Sequence, residues 1–184
     1  MRESGAMESA QDVAVRVREA EDPLFGAVTV ELDTAAGMVE VRGDTVPQIV
    51  LRRAVGVREV DEHIPVGTRD GALLSLAVDG AAVQVRPGKG RLTRRSFRVD
   101  VTYEGIVYRL VPDSLAGSRL LRDGDPLGWL ESVGDGDVSA RWRDGARVRA
   151  VEAAIGYALA AGFGTGAQPM WALALEALGD LLPN

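Results

Sequence analysis

Hydrophobic residues are distributed unevenly along this chain, and the longest stretch without charge lies close to its C-terminus. Residues 153–175 contain no Asp, Glu, Lys or Arg, whereas the sequence before them alternates short apolar segments with turn-forming residues. Three glycines and one proline fall within residues 162–169. In a continuous helix each glycine would cost about 1 kcal/mol and the proline about 3 kcal/mol. The pattern therefore predicts two helices, at about residues 147–161 and 168–182, and no transmembrane span.

The two predicted helices differ in how their apolar residues are arranged. The first is apolar on opposite faces, which indicates a helix that is buried on all sides. Its apolar positions are Val148, Val151, Ile155 and Leu159 on one face and Ala154, Tyr157 and Ala161 on the other. The second is amphipathic, with an apolar stripe of Trp171, Leu175, Leu178 and Leu182. We interpret the tail as buried core; a membrane-inserted tail and a partner-binding helix are the alternatives.

Before residue 146 the pattern predicts short strands joined by tight turns. Asp79-Gly80 and Glu104-Gly105 each separate two β-prone segments, as residues 123–126 do, and dipeptides of this kind favour two-residue hairpins. Hairpins in succession predict an antiparallel meander, closed as a barrel or folded as a sandwich, packed on or around the buried helix. The predicted fold class is therefore mainly β with C-terminal helices, an α+β arrangement.

Two segments of this region differ in how regularly apolar and polar residues alternate. Val13, Val15 and Val17 alternate with less apolar residues and predict a half-buried strand. Residues 49–60 alternate less cleanly, so that a short helix at 47–54 is an alternative to a strand there. The count over the whole region is nine or ten strands.

The second half of the chain resembles the tubby-like barrels, the group that holds the LURP-one-related and phospholipid-scramblase-type proteins. The similar segments are YRLVPDS (108–114), SRLLRDGDPLGWLESVG (118–134) and DVSARWRDG (137–145), followed by the apolar helix. The resemblance implies a sheet that closes around a central hydrophobic helix. It also implies contact with lipid or phosphoinositide rather than catalysis. A second helix after the first is a departure from that pattern, and no binding residue of the group matches a position here.

Composition narrows the chemistry that the chain can perform. We expect a disordered N-terminus at residues 1–11 and a single β-rich domain at 12–184. The chain has no cysteine and one histidine, which excludes disulfides, zinc–thiolate centres, iron–sulfur clusters and His-rich metal sites. We therefore predict no cofactor and no metal. Residues 1–12 lack the apolar segment of a signal peptide, which predicts a cytoplasmic location.

The net charge of −6 is concentrated near the N-terminus. Residues 1–45 contain ten acidic and four basic residues, and the remaining 139 residues contain 17 of each. A protein that binds nucleic acid through its overall charge would show a basic excess. The chain therefore does not have the charge of a nucleic-acid-binding protein.

Residues 86–98 carry six basic residues and no acidic residue. Arginine holds phosphate through forked hydrogen bonds, and glycine-rich turns present free backbone amides. This segment is therefore the predicted site for an anionic small molecule or a lipid headgroup. The alternative is a solvated strand edge whose charges pair with Asp79, Asp100 and Glu104. The candidate residues are Arg86, Lys89, Arg91, Arg94, Arg95 and Arg98.

No catalytic residue is predicted. Asp61-Glu62-His63 brings a carboxylate next to the histidine, but adjacent residues of a strand point to opposite faces. The glycines within residues 162–166 lack the lysine of a phosphate loop, and the Asp-Gly-Asp pairs at 123–125 and 135–137 lack EF-hand spacing. We therefore predict a non-enzymatic binding or adaptor module that contacts a protein partner or an anionic small molecule. The alternative is a peripheral membrane protein that binds anionic lipid, as the resemblance implies.

Overall fold

A computed structural model describes residues 15–57, 60–90, 93–114 and 116–166, and in it eleven strands form one antiparallel sheet. The strands are β1 (Val15–Asp22), β2 (Gly26–Asp33), β3 (Met38–Arg42), β4 (Ile49–Arg53), β5 (Leu74–Val78), β6 (Ala81–Pro87), β7 (Val99–Tyr103), β8 (Ile106–Pro112), β9 (Gly117–Arg122), β10 (Asp125–Glu131) and β11 (Ser139–Trp142). Each strand pairs with the next in the sequence. The sheet is therefore an uninterrupted meander.

Helical segments among the described residues are few. The α-helix α1 spans Ala150–Phe163, and two short 3₁₀ helices span Gly71–Leu73 and Arg94–Phe97. The predicted boundaries of the first helix, 147 and 161, are thus each two or three residues too early. The predicted disordered N-terminus and the predicted second helix lie outside the described residues.

The sheet curls into a nearly closed barrel, and α1 packs against its inner face. Every residue from Glu152 to Phe163 is buried, and α1 contacts β2, β3, β4, β8 and β10, which are spread around the barrel. The prediction of a mainly β fold with a C-terminal helix in its core is therefore confirmed, with a barrel in place of a sandwich. β4 is a strand, so the alternative of a helix at 47–54 is wrong.

Small residues let α1 approach the sheet closely. A Cβ atom added to Gly162 would lie 2.6 Å from Leu51 Cδ2, and one added to Gly156 would lie 3.1 Å from Leu120 Cδ2. Contacts this short require a neighbour to move, because protein interiors are close-packed. The run of Gly and Ala in α1 therefore sets the distance between the helix and the strands.

The three predicted hairpin turns are present, and the third is shorter than predicted because Asp125 and Pro126 belong to β10. In each turn both central residues have positive φ, as a type I′ turn requires, and glycine occupies the second position. The φ values are 47° and 80° at Asp79-Gly80, 51° and 78° at Glu104-Gly105, and 47° and 96° at Asp123-Gly124. These turns all lie at one end of the barrel, because alternate connections of a meander share an end.

The connections β2–β3, β4–β5, β6–β7, β8–β9 and β10–β11 form the opposite end of the barrel, which we call the long-loop end. It comprises residues 34–37, 54–73, 88–98, 113–116 and 132–138. The C-terminus of α1 lies here as well, since Val66 N donates a hydrogen bond to Gly162 O at 2.9 Å. Long loops on a rigid scaffold commonly carry function. The long-loop end is therefore the first place to look for a site.

The first half of β1 differs from its prediction. Residues 15–19 are all exposed, and the register pairs Arg18 with the buried Val30 of β2, which puts the arginine on the inner face. Val15 and Val17 consequently lie on the outer face, so the predicted half-buried valine stripe is wrong for these two residues. Val13 lies outside the described residues.

A buried carboxylate joins the first strand, the last strand and the helix. Asp22 of β1 accepts hydrogen bonds from Trp142 Nε1 of β11 at 3.0 Å and from Tyr157 Oη of α1 at 3.0 Å. It also accepts one from the Leu24 amide at 2.8 Å. Burial raises the pKa of Tyr157 well above its usual value, and the charge of Asp22 raises it further. The phenol therefore keeps its proton and remains a donor to Asp22 in mildly alkaline solution.

A second buried carboxylate holds the start of α1. Glu152 has no exposed surface and accepts hydrogen bonds from Arg122 Nη1 at 3.1 Å and from Arg149 Nε at 3.0 Å. Its other oxygen accepts from the Arg149 amide at 2.9 Å, which satisfies a free donor at the helix N-terminus. Tyr108 Oη donates to Glu152 at 3.3 Å. The two ends of α1 are thus fixed to the barrel by polar contacts as well as packing.

Candidate anion-binding site

The two longest connections of the barrel line a cavity at the long-loop end. These connections are residues 54–73 and 88–98, and the cavity between them has a volume of about 450 Å³. Ligand cavities commonly span about 300–1,000 Å³ and combine an apolar lining with a few convergent polar groups. The residues that line it include Val60, Asp61, Ile64, Arg69, Lys89 and Phe163.

Arg69 is the central cation of this cavity. Its guanidinium lies 5.4 Å from the ring centroid of Phe97 and 5.3 Å from that of Phe163, both within the range of cation–π attraction. Nε donates to Gly88 O at 2.9 Å, and Nη2 donates to Phe97 O. Arg69 therefore fixes both ends of the 88–98 connection and ties it to the end of α1.

The electrostatic state of Arg69 is unusual for an arginine. Burial lowers its pKa to about 10, and the negative charge of Asp61 opposes that effect. Because this pKa is still about three units above neutrality, the side chain is protonated at pH 7. Within the described residues, Arg69 forms no ion pair with a carboxylate, and its Nη1 has no hydrogen-bond acceptor. The cavity therefore contains a desolvated positive charge that forms no ion pair with a described side chain.

The predicted basic residues separate into different environments. Lys89 lines the cavity together with Arg69. Arg86 is exposed on β6, where the strand register places it opposite Asp100, and Arg95 is exposed on the 3₁₀ helix. The structure therefore brings only Lys89 of these three into the cavity.

The contacts of Arg98 favour the alternative interpretation of residues 86–98, a solvated strand edge with paired charges. Its Nε lies 3.5 Å from Asp100, whose carboxylate also accepts two hydrogen bonds from Arg109, at 2.6 and 2.9 Å. An exposed pair of this kind contributes about 0–1 kcal/mol and leaves little free charge for a ligand. Of the other candidates, Arg91 and the side chain of Arg94 lie outside the described residues.

Sequence reasoning missed Arg69. It lies between Thr68 and Asp70 in a polar stretch, without the basic neighbours that drew attention to residues 86–98. Its aromatic partners are 28 and 94 positions further along the chain. The one local signal is a basic residue in a connection of 20 residues, which is long for a meander.

His63 takes part in a turn at the cavity wall. The His63 amide donates to Asp61 Oδ1 at 2.9 Å, so that this carboxylate is engaged with the backbone and not with the imidazole. The imidazole side chain is exposed. In the part of the chain that the structure describes, no three Asp, Glu or His side chains are grouped closely enough to hold a metal ion.

The fold and the cavity define a class: a nearly closed antiparallel barrel with an internal helix and a cationic cavity at one end. Comparisons of the chain with protein-family models, with curated proteins and with solved structures gave no match. Within the described ranges, no helix combines the length and the hydrophobicity needed to span a bilayer.

Proposed function

We propose that the chain is a non-enzymatic binding module that holds an anionic ligand at the long-loop end of its barrel. The observation that carries this proposal is Arg69, a protonated and desolvated cation with no carboxylate partner among the described residues. A buried charge is costly unless it is paired. An anion in the cavity would supply a direct ion-pair partner for Arg69, and Lys89 would supply a second cation to it.

The site resembles a binding site more than a reaction centre. Its two cations are positioned to attract and orient an anion. Of the groups that could act as bases, Asp61 accepts from a backbone amide and the imidazole of His63 is exposed. The arrangement therefore favours retention of a ligand over general acid–base chemistry, which needs a base aligned with the reacting group.

A second candidate function is contact with an anionic membrane surface, as the resemblance to tubby-like barrels implies. The observation that favours it is a group of exposed valines, Val55, Val60 and Val133, at the same end of the barrel as Lys89 and Arg95. Apolar side chains next to cations suit the boundary between lipid headgroups and acyl chains. In this case the anion would be a lipid headgroup.

Inorganic phosphate, titrated at constant ionic strength and followed by calorimetry, tests the first candidate. We expect Lys89→Gln to weaken phosphate binding about tenfold, because it removes one charge-assisted hydrogen bond. Arg52→Gln is the matched control, since Arg52 is exposed on β4 and does not line the cavity. Equal phosphate binding by the parent chain and both variants would contradict the proposal, and so would absence of binding both of phosphate and of an organic carboxylate such as octanoate.

Sedimentation with vesicles separates the two candidates. Binding to vesicles of phosphatidylcholine and phosphatidylserine, but not of phosphatidylcholine alone, would favour the membrane if Val133→Asp abolished it. Phosphate binding without vesicle binding would favour the soluble ligand. Val133 does not line the cavity, so its substitution should leave the phosphate titration unchanged.

A further inference from the structure

We propose that the natural ligand of this cavity is a singly charged organic carboxylate with an apolar body, whose carboxylate contacts Arg69 and Lys89. This inference rests on the proposed function and names its ligand class. Three features of the cavity carry it: its balance of charge, the free hydrogen-bonding capacity of Arg69, and the apolar part of its wall.

The charge of the lining matches a monoanion. Arg69 and Lys89 contribute two positive charges, and Asp61 contributes one negative charge. The formal charges of these three groups sum to +1. A dianion such as a phosphate monoester would be left with one excess negative charge close to Asp61, and like charges repel each other. A single carboxylate would bring the net charge of the lining and its ligand to zero.

Arg69 keeps hydrogen-bond donors for a carboxylate. A guanidinium carries five N–H donors, and pairs of them form a fork that matches the two oxygens of a carboxylate. Here Nε and one N–H of Nη2 donate to Gly88 O and Phe97 O, which leaves the second N–H of Nη2 and both of Nη1 for a ligand. One donor from Arg69 and the ammonium of Lys89 can each serve one oxygen of a carboxylate.

The rest of the cavity wall is apolar, and the cavity is larger than a small anion alone would fill. Ile64 and Phe163 are buried residues that line the cavity, and Val60 lies at its exposed rim. A phosphate or an acetate would leave most of the 450 Å³ to water. An alkyl or aryl body would displace that water from the apolar wall, which is favourable in proportion to the area covered. The apolar body of the ligand would therefore determine selectivity, and its carboxylate would fix its orientation in the cavity.

The proposal is tested with a series of straight-chain carboxylates: acetate, butanoate, hexanoate and octanoate, with octan-1-ol as the uncharged match for octanoate. We expect affinity to rise about fourfold for each methylene that enters the cavity. We expect octanoate to bind at least tenfold more tightly than octanol in the parent chain. Lys89→Gln should reduce that preference, and Arg52→Gln should leave it unchanged.

Two further variants keep the test decisive. Arg69→Gln should abolish the preference for octanoate over octanol; if that variant fails to fold, Val60→Trp replaces it. Val60→Trp fills the rim of the cavity and leaves the Arg69 contacts intact, so it should reduce octanoate binding at least tenfold with little effect on phosphate. If phosphate binds and the affinity for the carboxylates does not rise with their chain length, this inference is overturned and the proposed function still stands. Absence of binding by every anion would overturn both.

Discussion

Replacing Glu152 with alanine is expected to lower the free energy of unfolding by about 3–5 kcal/mol, the range measured when one partner of a buried ion pair is removed. Glu152 is fully buried and accepts hydrogen bonds from Arg122, Arg149 and Tyr108. The alanine variant would leave two guanidinium groups facing one another without their shared anion. It would also free the Arg149 amide at the start of α1. Denaturant unfolding at neutral pH measures the change.

The control for this substitution is Glu19→Ala, because Glu19 is exposed on β1. An exposed change of that kind normally alters stability by less than about 0.5 kcal/mol. Glu152→Gln should fall between the two, since the amide oxygen can still accept from one arginine but carries no charge. A loss below about 1 kcal/mol for Glu152→Ala would mean that the start of α1 is not buried as described.

Replacing Asp22 with alanine should lower the free energy of unfolding by about 2–4 kcal/mol, because it removes the acceptor shared by Trp142 and Tyr157. The loss of stability at Asp22 should be coupled energetically to Tyr157 of α1. In a double-mutant cycle with Tyr157→Phe, the two substitutions should cost less together than the sum of the separate costs, by about 1 kcal/mol or more. Asp44→Ala is the control, since Asp44 is exposed and has no hydrogen bond within the described residues.

The near-ultraviolet circular dichroism of the Asp22→Ala variant gives a second readout of the same contact. Trp142 and Tyr157 are held in one orientation by the carboxylate, so their signal should weaken even where the far-ultraviolet spectrum is unchanged. Additive costs in the cycle, together with an unchanged aromatic signal, would contradict a junction between β1, β11 and α1 at this position.

Local features of the sequence were sufficient to predict much of the barrel. The Asp79-Gly80 and Glu104-Gly105 dipeptides specify their turns through backbone conformation alone, and each lies in the type I′ turn that it predicts. The absence of charge in residues 153–163 likewise requires burial on all sides, wherever the strands lie. Such features can be read without knowledge of tertiary contacts.

Features that depend on distant partners could not be predicted. The alternation of β1 indicates two faces but not which face meets the core, because that follows from its register with β2. Asp22 and Tyr157 are 135 positions apart, and nothing near either residue indicates the other. The same reason applies to the cavity. Lys89 was found from its basic neighbours, whereas Arg69 acquires its role only when α1 brings Phe163 against it.

One physical feature underlies both the fold and the candidate site: the barrel encloses α1, and this enclosure builds the cavity at the helix C-terminus. Native-state hydrogen exchange of the α1 backbone amides tests it most directly. We predict that the amides from Ala154 to Gly162 exchange only through global unfolding, with the same free energy of opening as the central strands. Exchange of these amides by local opening, while the strands remain protected, would contradict the account.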